Sequence, residues 1–298
     1  MDEQAALSVV EGLVEAAGDD AAVVGDTVFT IDMLHETTDF PPGMSPYTAG
    51  WRSVGASLSD VAAMGASATA TVAAVGLPEF AEGTLSAYLQ GAGDVSEAVG
   101  AQYVGGDLDR HEEFTVATAA LGETATPVGR SGARPGEIVC VTGTVGRGAA
   151  GIRAFEAGAI EAANDLFQFT PRVAAGTVLA EHATAMMDAS DGLARSLHQL
   201  GAAGDVGFAI EGAAIPIAGA LERFLGVDES AREVAIEHGG DFELVWTMPE
   251  SALEPVRTGL EAPVSVLGEV RDPDAGIELD GEALPDRGYT HGSEPTDP

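Results

Sequence analysis

The chain contains no lysine; all 13 of its basic residues are arginine. A Walker A loop needs its lysine on the β/γ-phosphates, a protein kinase needs one on its third strand, and a Schiff-base enzyme needs one as nucleophile, so these three classes are excluded. Phosphate bound here must be neutralised by a divalent cation, by arginine, or by backbone N–H groups at glycine turns and helix N-termini. Cysteine is nearly absent as well. The single Cys140 lies in the apolar run from Glu137 to Thr142 and reads as a buried strand residue, which leaves no intrachain disulfide and no cysteine zinc site. The six histidines fall at no metal-ligand spacing, and the two tryptophans and four tyrosines offer no stacking surface for nucleic acid. No Gly-x-Ser-x-Gly elbow supports a Ser-His-Asp hydrolase. No stretch has the length and purity of a membrane span and no basic region precedes an apolar one, so the expected location is the cytoplasm.

Acid is what the chain has in excess. Its 48 aspartates and glutamates set a formal net charge of -35. Such a surface repels nucleic acid and anionic membranes, which removes both as expected partners, and it suits a solvated protein in high salt. A distinct subset of the aspartates sits beside glycine or serine: Gly18-Asp19-Asp20, Thr30-Ile31-Asp32, Ser57-Leu58-Ser59-Asp60, Gly105-Gly106-Asp107, Asp188-Ala189-Ser190-Asp191-Gly192 and Gly239-Gly240-Asp241. Carboxylates drawn together from distant segments repel one another unless divalent cations sit among them. Hard oxygen ligands of this kind suit Mg²⁺, and the pattern points toward metal-assisted phosphate chemistry.

At 298 residues with 45% hydrophobic content, the chain is long enough for two domains. Helical periodicity over residues 3 to 17 stops at Gly18. Ala21–Val24 and Val28–Ile31, joined by Gly25-Asp26, read as a hairpin. Ser45-Pro46 pairs an N-cap with a first-turn proline and predicts a helix running to Met64-Gly65, with Asp60 in its final turns. A strand over Thr69–Leu77, a helix near Thr84–Val99, and strands at Gln102–Val104 and Phe114–Leu121 complete an α+β half, with Gly105-Gly106-Asp107 compatible with a turn. Thr124 to Gly136, with two prolines and three glycines, is the expected boundary between residues 1–127 and 128–298. Beyond it, strands at Ile138–Thr142, Ala185–Met187, Phe208–Ile210 and Phe242–Thr247 alternate with helices expected from about Gly148, Pro171, Gly192, Ser230 and Pro249. A disordered tail is expected from Gly292. In Asp188-Ala189-Ser190-Asp191-Gly192-Leu193, a plain N-cap accounts for Asp191 but leaves Asp188 and Ser190 without a role.

Taken in order, these strings resemble the thiamine-monophosphate kinase family. It belongs to a superfamily with aminoimidazole ribonucleotide synthetase, selenophosphate synthetase and the hydrogenase maturation protein HypE. Ser59-Asp-Val-Ala-Ala-Met-Gly65 and Arg130-Ser-Gly-Ala-Arg-Pro-Gly136 look more like the kinase than its cousins. The resemblance implies a two-domain aminoimidazole ribonucleotide synthetase-like α/β (α+β) fold, with an N-terminal mixed sheet domain forming a homodimer and a C-terminal α/β domain. It implies Mg²⁺ and ATP as cofactors and phosphorylation of thiamine monophosphate to thiamine diphosphate. Asp20, Thr30, Ile31 (through its carbonyl), Asp32, Asp60, Asp107, Asp188 and Asp191 fall at its metal positions, with Asp32, Asp60 and Asp107 the catalytic set. Gly106, Asp107, Arg130 and Ser190 fall at its ATP positions. On the substrate side the matches are Asp39, where the family has a histidine, Gly240, in a Gly-Gly string lacking the family's glutamate, and Asp286, where it has an aromatic. A sister ATP-using enzyme of the superfamily and a noncatalytic Mg²⁺-nucleotide-binding protein are the alternative readings.

Overall fold

The computed structural model describes residues 6, 9–10, 12–14 and 17–290. The helix expected over residues 3 to 17 falls largely outside the described residues, and the tail from Gly292 wholly outside them. The hairpin forms as expected: β1 (Ala22–Val24) and β2 (Thr27–His35) are antiparallel around Gly25, which takes the left-handed φ of 64° that the tight turn requires. A one-turn helix α1 (Glu36–Asp39) follows. Helix α2 (Pro46–Ala63) starts where its cap and proline dictate, with Ser45 accepting a hydrogen bond from the Thr48 N–H. It ends at Ala63, capped by Met64, and Gly65, with a φ of 68°, turns the chain away. Strand β3 (Ser67–Leu77), helix α3 (Glu82–Ala98) and strand β4 (Gln102–Arg110) form a crossover that makes β3 and β4 parallel, and β5 (Thr115–Glu123) inserts between β2 and β3. The sheet order is β1-β2-β5-β3-β4.

Gly105-Gly106-Asp107 forms no turn; it lies inside β4 and pairs with Val72, Ala73 and Ala74 of β3, after a register shift that skips Val104. A Cβ on Gly106 would meet the Ala73 carbonyl oxygen at 1.8 Å, so the glycine permits a close backbone approach. Period-2 alternation gives this sheet two faces. Val28 and Thr30 of β2 point inward, while Phe29, Ile31 and Met33 are exposed on the outer face.

The second sheet, in order β12-β11-β8-β10-β6-β9-β7, is built from β6 (Ile138–Thr142), β7 (Ala185–Asp188), β8 (Gly207–Ile210), β9 (Leu244–Met248), β10 (Val264–Arg271), β11 (Ile277–Leu279) and β12 (Glu282–Ala283). Its helices are α4 (Arg147–Glu156), α5 (Ile160–Phe167), α6 (Val173–Leu179), α7 (Leu193–Gly204), α8 (Ala231–Glu237) and α9 (Leu253–Gly259). The sequence reading did not anticipate α5 or β10, although β10 bridges β6 and β8 near the sheet centre. Strand β9 begins two residues later than expected because Phe242 adopts φ 54°, which breaks the extended run before Leu244.

One apolar core joins the two sheets. Val54, Leu58 and Val61 of α2 pack in the same buried cluster as Leu179, Met186 and Trp246 of the C-terminal half. Polar side chains on this buried helix therefore have to be satisfied by whatever the two sheets present to it.

Candidate active site

Three aspartates from distant segments converge beside α2. Oxygens of Asp20, Asp60 and Asp188 all lie within 4.8 Å of one another. Asp20 comes from the turn before β1, Asp60 from the last turns of α2, and Asp188 from the end of β7. The serine-rich string of α2 orders them. Ser57 and Asp60, one helical turn apart, reach the first sheet: Ser57 donates to Asp32 and Thr30 donates to Asp60 Oδ2 at 2.6 Å. Ser59 reaches the second sheet and donates to Asp188 Oδ2 at 2.6 Å, while the Ser190 N–H donates to Asp188 Oδ1 at 3.1 Å.

The electrostatics follow from this crowding. Burial, reinforced by the charges of Asp32, Asp188 and Asp20, raises the Asp60 carboxyl well above its ordinary range. Asp188 is pushed up to about 7, chiefly by burial and then by Asp20, against the lowering effect of its hydrogen bonds to Ser59 and Ser190. Burial likewise raises Asp32, with the Ser57 hydrogen bond opposing it. Such a donor set is strained when ionised and empty, and its hard oxygens fit a divalent cation. Arg130 supplies part of the compensation. Its guanidinium takes Asp20 in a two-pronged grip, Nε to Oδ2 at 3.1 Å and Nη2 to Oδ1 at 3.2 Å. The residue expected on ATP and a residue expected on metal are thus each other's partner in this structure.

Beside the cluster opens a cavity of about 280 Å³, lined among others by Asp32, Asp39, Ser190, Asp191 and Gly240. Asp39 accepts from the His35 N–H at 2.8 Å and from the Thr38 hydroxyl at 2.7 Å. The loop carrying Gly240 is anchored by Asp241, which accepts from the Gly146 N–H at 2.6 Å and the Gly148 N–H at 2.8 Å at the start of α4. Burial pushes Asp241 up to about 7, although those N–H groups pull it down.

Not every expected site residue joins this centre. Asp107 lies on β4 in a second cavity of about 170 Å³, shared with Met33, Asp109 and His111, and Gly106 precedes it against β3. The Ile31 side chain is 73% exposed on the outer sheet face, which leaves only its backbone carbonyl, the group expected to contribute, for the metal side. Asp286 pairs with Arg195 at 2.5 Å and does not line the first cavity; Tyr289, three residues on, does. The sequence reading missed Arg52, Phe242 and Tyr289, all of which line that cavity. An arginine on an otherwise apolar or small-residue helical face was the available signal for Arg52; nothing local singled out the other two.

Two sheets joined through one buried helix, with carboxylates gathered along it, define a protein of the AIR synthase related class. The chain matches "AIR synthase related protein, N-terminal domain" over residues 18–124 and "AIR synthase related protein, C-terminal domain" over residues 134–279. Within that class the chain belongs to the thiamine-monophosphate kinase family. It is 61% identical to thiamine-monophosphate kinase of Halobacterium salinarum over 98% of this chain and 100% of that one. It is 38% identical to thiamine-monophosphate kinase of Methanospirillum hungatei over 98% and 99%. The solved structure of AaThiL complexed with AMPPCP and TMP superposes with a TM-score of 0.89 at 25% identity, covering 97% of each chain.

Proposed function

We propose that this chain transfers the γ-phosphoryl group of ATP to the phosphate of thiamine monophosphate, giving thiamine diphosphate and ADP. An acceptor phosphate oxygen forms the new bond to the γ-phosphorus as the bond to the bridging oxygen of ADP breaks. The attacking oxygen is already largely ionised at neutral pH, so no strong general base is required, and alignment with charge neutralisation carries the rate. The observation behind this reading is the Asp20-Asp60-Asp188 cluster opening beside a cavity large enough to admit a small acceptor. These three would hold Mg²⁺, with Asp32 and Asp191 at the cavity side, and a bound ion would neutralise phosphate oxygens that no lysine is present to meet. Ser57, Ser59 and Thr30 keep the carboxylates aimed, and Arg130 neutralises Asp20 or turns to a nucleotide phosphate.

We place the division between the ATP- and Mg²⁺-binding N-terminal domain and the C-terminal α/β domain at residues 127/128, in the connection between β5 and β6. We place the reaction in the cytoplasm; among the described residues no helix is long and apolar enough to cross a membrane. The working unit is a homodimer through the first sheet, whose outer face exposes Phe29, Ile31, Met33, Val72 and Leu121 together, the kind of apolar patch that a partner surface covers. Light scattering after gel filtration should return twice the mass of 30.1 kDa, and Ile31→Lys should shift it toward the monomer.

The reaction is tested by following ADP release with thiamine monophosphate, with thiamine, and with no acceptor, each with and without EDTA. ADP and thiamine diphosphate should appear only with the monophosphate and a divalent cation. Release driven by another ATP-activated acceptor but not by thiamine monophosphate would assign the chain to a sister activity. ATP binding without release under any condition would make it a binding protein.

A further inference from the structure

Arg52 is the unusual cation of the first cavity. It projects from α2, the same helix that carries Ser57, Ser59 and Asp60, and it lines the cavity that Asp32 and Ser190 also line. Its guanidinium carbon lies 4.1 Å from the Phe167 ring centroid and 5.2 Å from that of Phe242. Phe242 is itself stacked on Phe169, with centroids 4.2 Å apart and planes inclined by 7°. Among the described residues, no hydrogen bond or ion pair engages the Arg52 guanidinium, whereas Arg130, Arg172 and Arg195 each hold a carboxylate. The backbone makes room for it: a Cβ on Gly240 would stand 2.5 Å from Arg52 Nη2, and Gly240 has a φ of 91°. Burial draws the Arg52 pKa down to about 10 while Asp241 and Asp39 hold it up, so the side chain remains a cation at neutral pH.

A guanidinium stacked on a ring keeps its five in-plane N–H donors free, and the stacking fixes the direction in which they point. Resting on the reading of the chain as a thiamine-monophosphate kinase, we propose that Arg52 binds the phosphate of the acceptor, from the cavity wall it shares with Asp32 and Ser190, and so sets the position of the attacking oxygen. The thiazolium is cationic and gains nothing from a neighbouring guanidinium, so the contact selects the phosphate end of the molecule. Arg52 would distinguish thiamine monophosphate from thiamine by binding, before any chemistry.

The test is calorimetric titration of wild type and Arg52→Gln, in the presence of Mg²⁺, with thiamine monophosphate and separately with thiamine. Arg52→Gln should weaken the monophosphate by roughly 10- to 100-fold, the scale of a lost charge-assisted hydrogen-bonded contact, and leave thiamine within about twofold. Arg52→Lys, which keeps the charge but loses the planar fork, should recover part of that loss. In steady-state assays the KM for thiamine monophosphate should rise while the KM for ATP stays within about twofold. Equal weakening of both ligands, with Arg52→Lys no better than Arg52→Gln, would make Arg52 a packing residue on Phe167 and overturn the proposal, as would unchanged binding of both. If Arg52→Gln fails to fold, Arg52→Lys against wild type carries the same comparison: selective weakening of the monophosphate supports the proposal, and parallel weakening or no change overturns it. Inorganic phosphate separates this inference from the assigned reaction. Thermal stabilisation of wild type by millimolar phosphate, lost in Arg52→Gln, supports an anion site at Arg52 even if thiamine monophosphate proves not to be the acceptor, and absence of that stabilisation in wild type overturns it.

Discussion

At the scale of single residues, the metal role proposed for Asp188 and Asp60 would set stability against function. Both carboxyls are raised in the folded chain, Asp188 to about 7. The sign is that of a folded state that holds protons more tightly than the unfolded one. Stability is greatest below the unfolded carboxylate pKa near 4 and falls as pH rises through the folded value near 7. In EDTA and fixed salt, the melting temperature should therefore drop by about 5 °C or more between pH 5 and pH 8. Added Mg²⁺ should recover much of that loss at pH 8, and equal melting temperatures at the two pH values would contradict the crowded-carboxylate account. Asp60→Asn removes one of the repelling charges, so in EDTA at pH 8 it should melt no lower than wild type while its kcat falls by at least about 100-fold. A variant with normal turnover in saturating Mg²⁺ would remove Asp60 from the metal set. Arg130 grips Asp20 with two parallel hydrogen bonds, a geometry that a point charge cannot copy. Arg130→Lys should accordingly raise the KM for ATP more than that for the acceptor, and steady-state kinetics with each substrate varied in turn would reveal a parallel rise if the arginine is only structural.

Among the elements, α2, which carries Ser57, Ser59 and Asp60, packs closely on α3. The two helices touch backbone to backbone: a Cβ on Gly91 would meet the Tyr47 carbonyl oxygen at 2.0 Å, and one on Gly50 would meet that of Tyr88 at 2.1 Å. Neither atom can swing aside as a side chain could, so Gly91→Ala must push the helices apart. Overpacking of this kind costs about 1–3 kcal/mol or more, and because α2 carries Ser57, Ser59 and Asp60, activity should fall with stability. Gly93, two residues along α3, has nothing within 4 Å of a Cβ. Gly93→Ala should be neutral or stabilising by roughly 0.5–1 kcal/mol, from helix propensity and reduced freedom of the unfolded chain. Urea denaturation of the two variants side by side checks the contrast, and equal effects would show that the close approach is not what limits the helix pair.

Across the whole molecule, the governing quantity is a net charge of -35 on 298 residues. Self-repulsion of such a surface opposes the compact state, and screening shortens to about 3 Å at 1 M salt. The melting temperature should rise steadily between dilute and molar KCl, in keeping with a relative from Halobacterium salinarum. A flat or falling curve would mean that the acidic residues sit too far apart, or too well solvated, to repel effectively.

Much of this protein was legible in its sequence because the signals were local. Ser45-Pro46 starts a helix through a cap and a preset φ, and Gly25 turns a hairpin. The glycine- and serine-flanked aspartates were the candidates for a metal site, of which the fold gathers Asp20, Asp60 and Asp188, and the missing lysines excluded the rival phosphate sites. Tertiary structure decided which of those aspartates meet. Asp20 and Asp188, whose carboxylate and backbone N–H lie 3.5 Å apart, are separated by 168 residues, and no local pattern encodes that closure. It also paired Arg130 with Asp20, set Asp107 in a cavity of its own, and placed β10 between β6 and β8. The stacked Phe169–Phe242 pair and the setting of Arg52, which has no hydrogen-bond or ion-pair partner among the described residues, arise only when α2, the loop before β9 and the segment after α5 come together. Local chemistry selects the residues a site can use, whereas long-range packing of apolar surface selects their neighbours, because only the folded core brings distant segments within hydrogen-bonding reach.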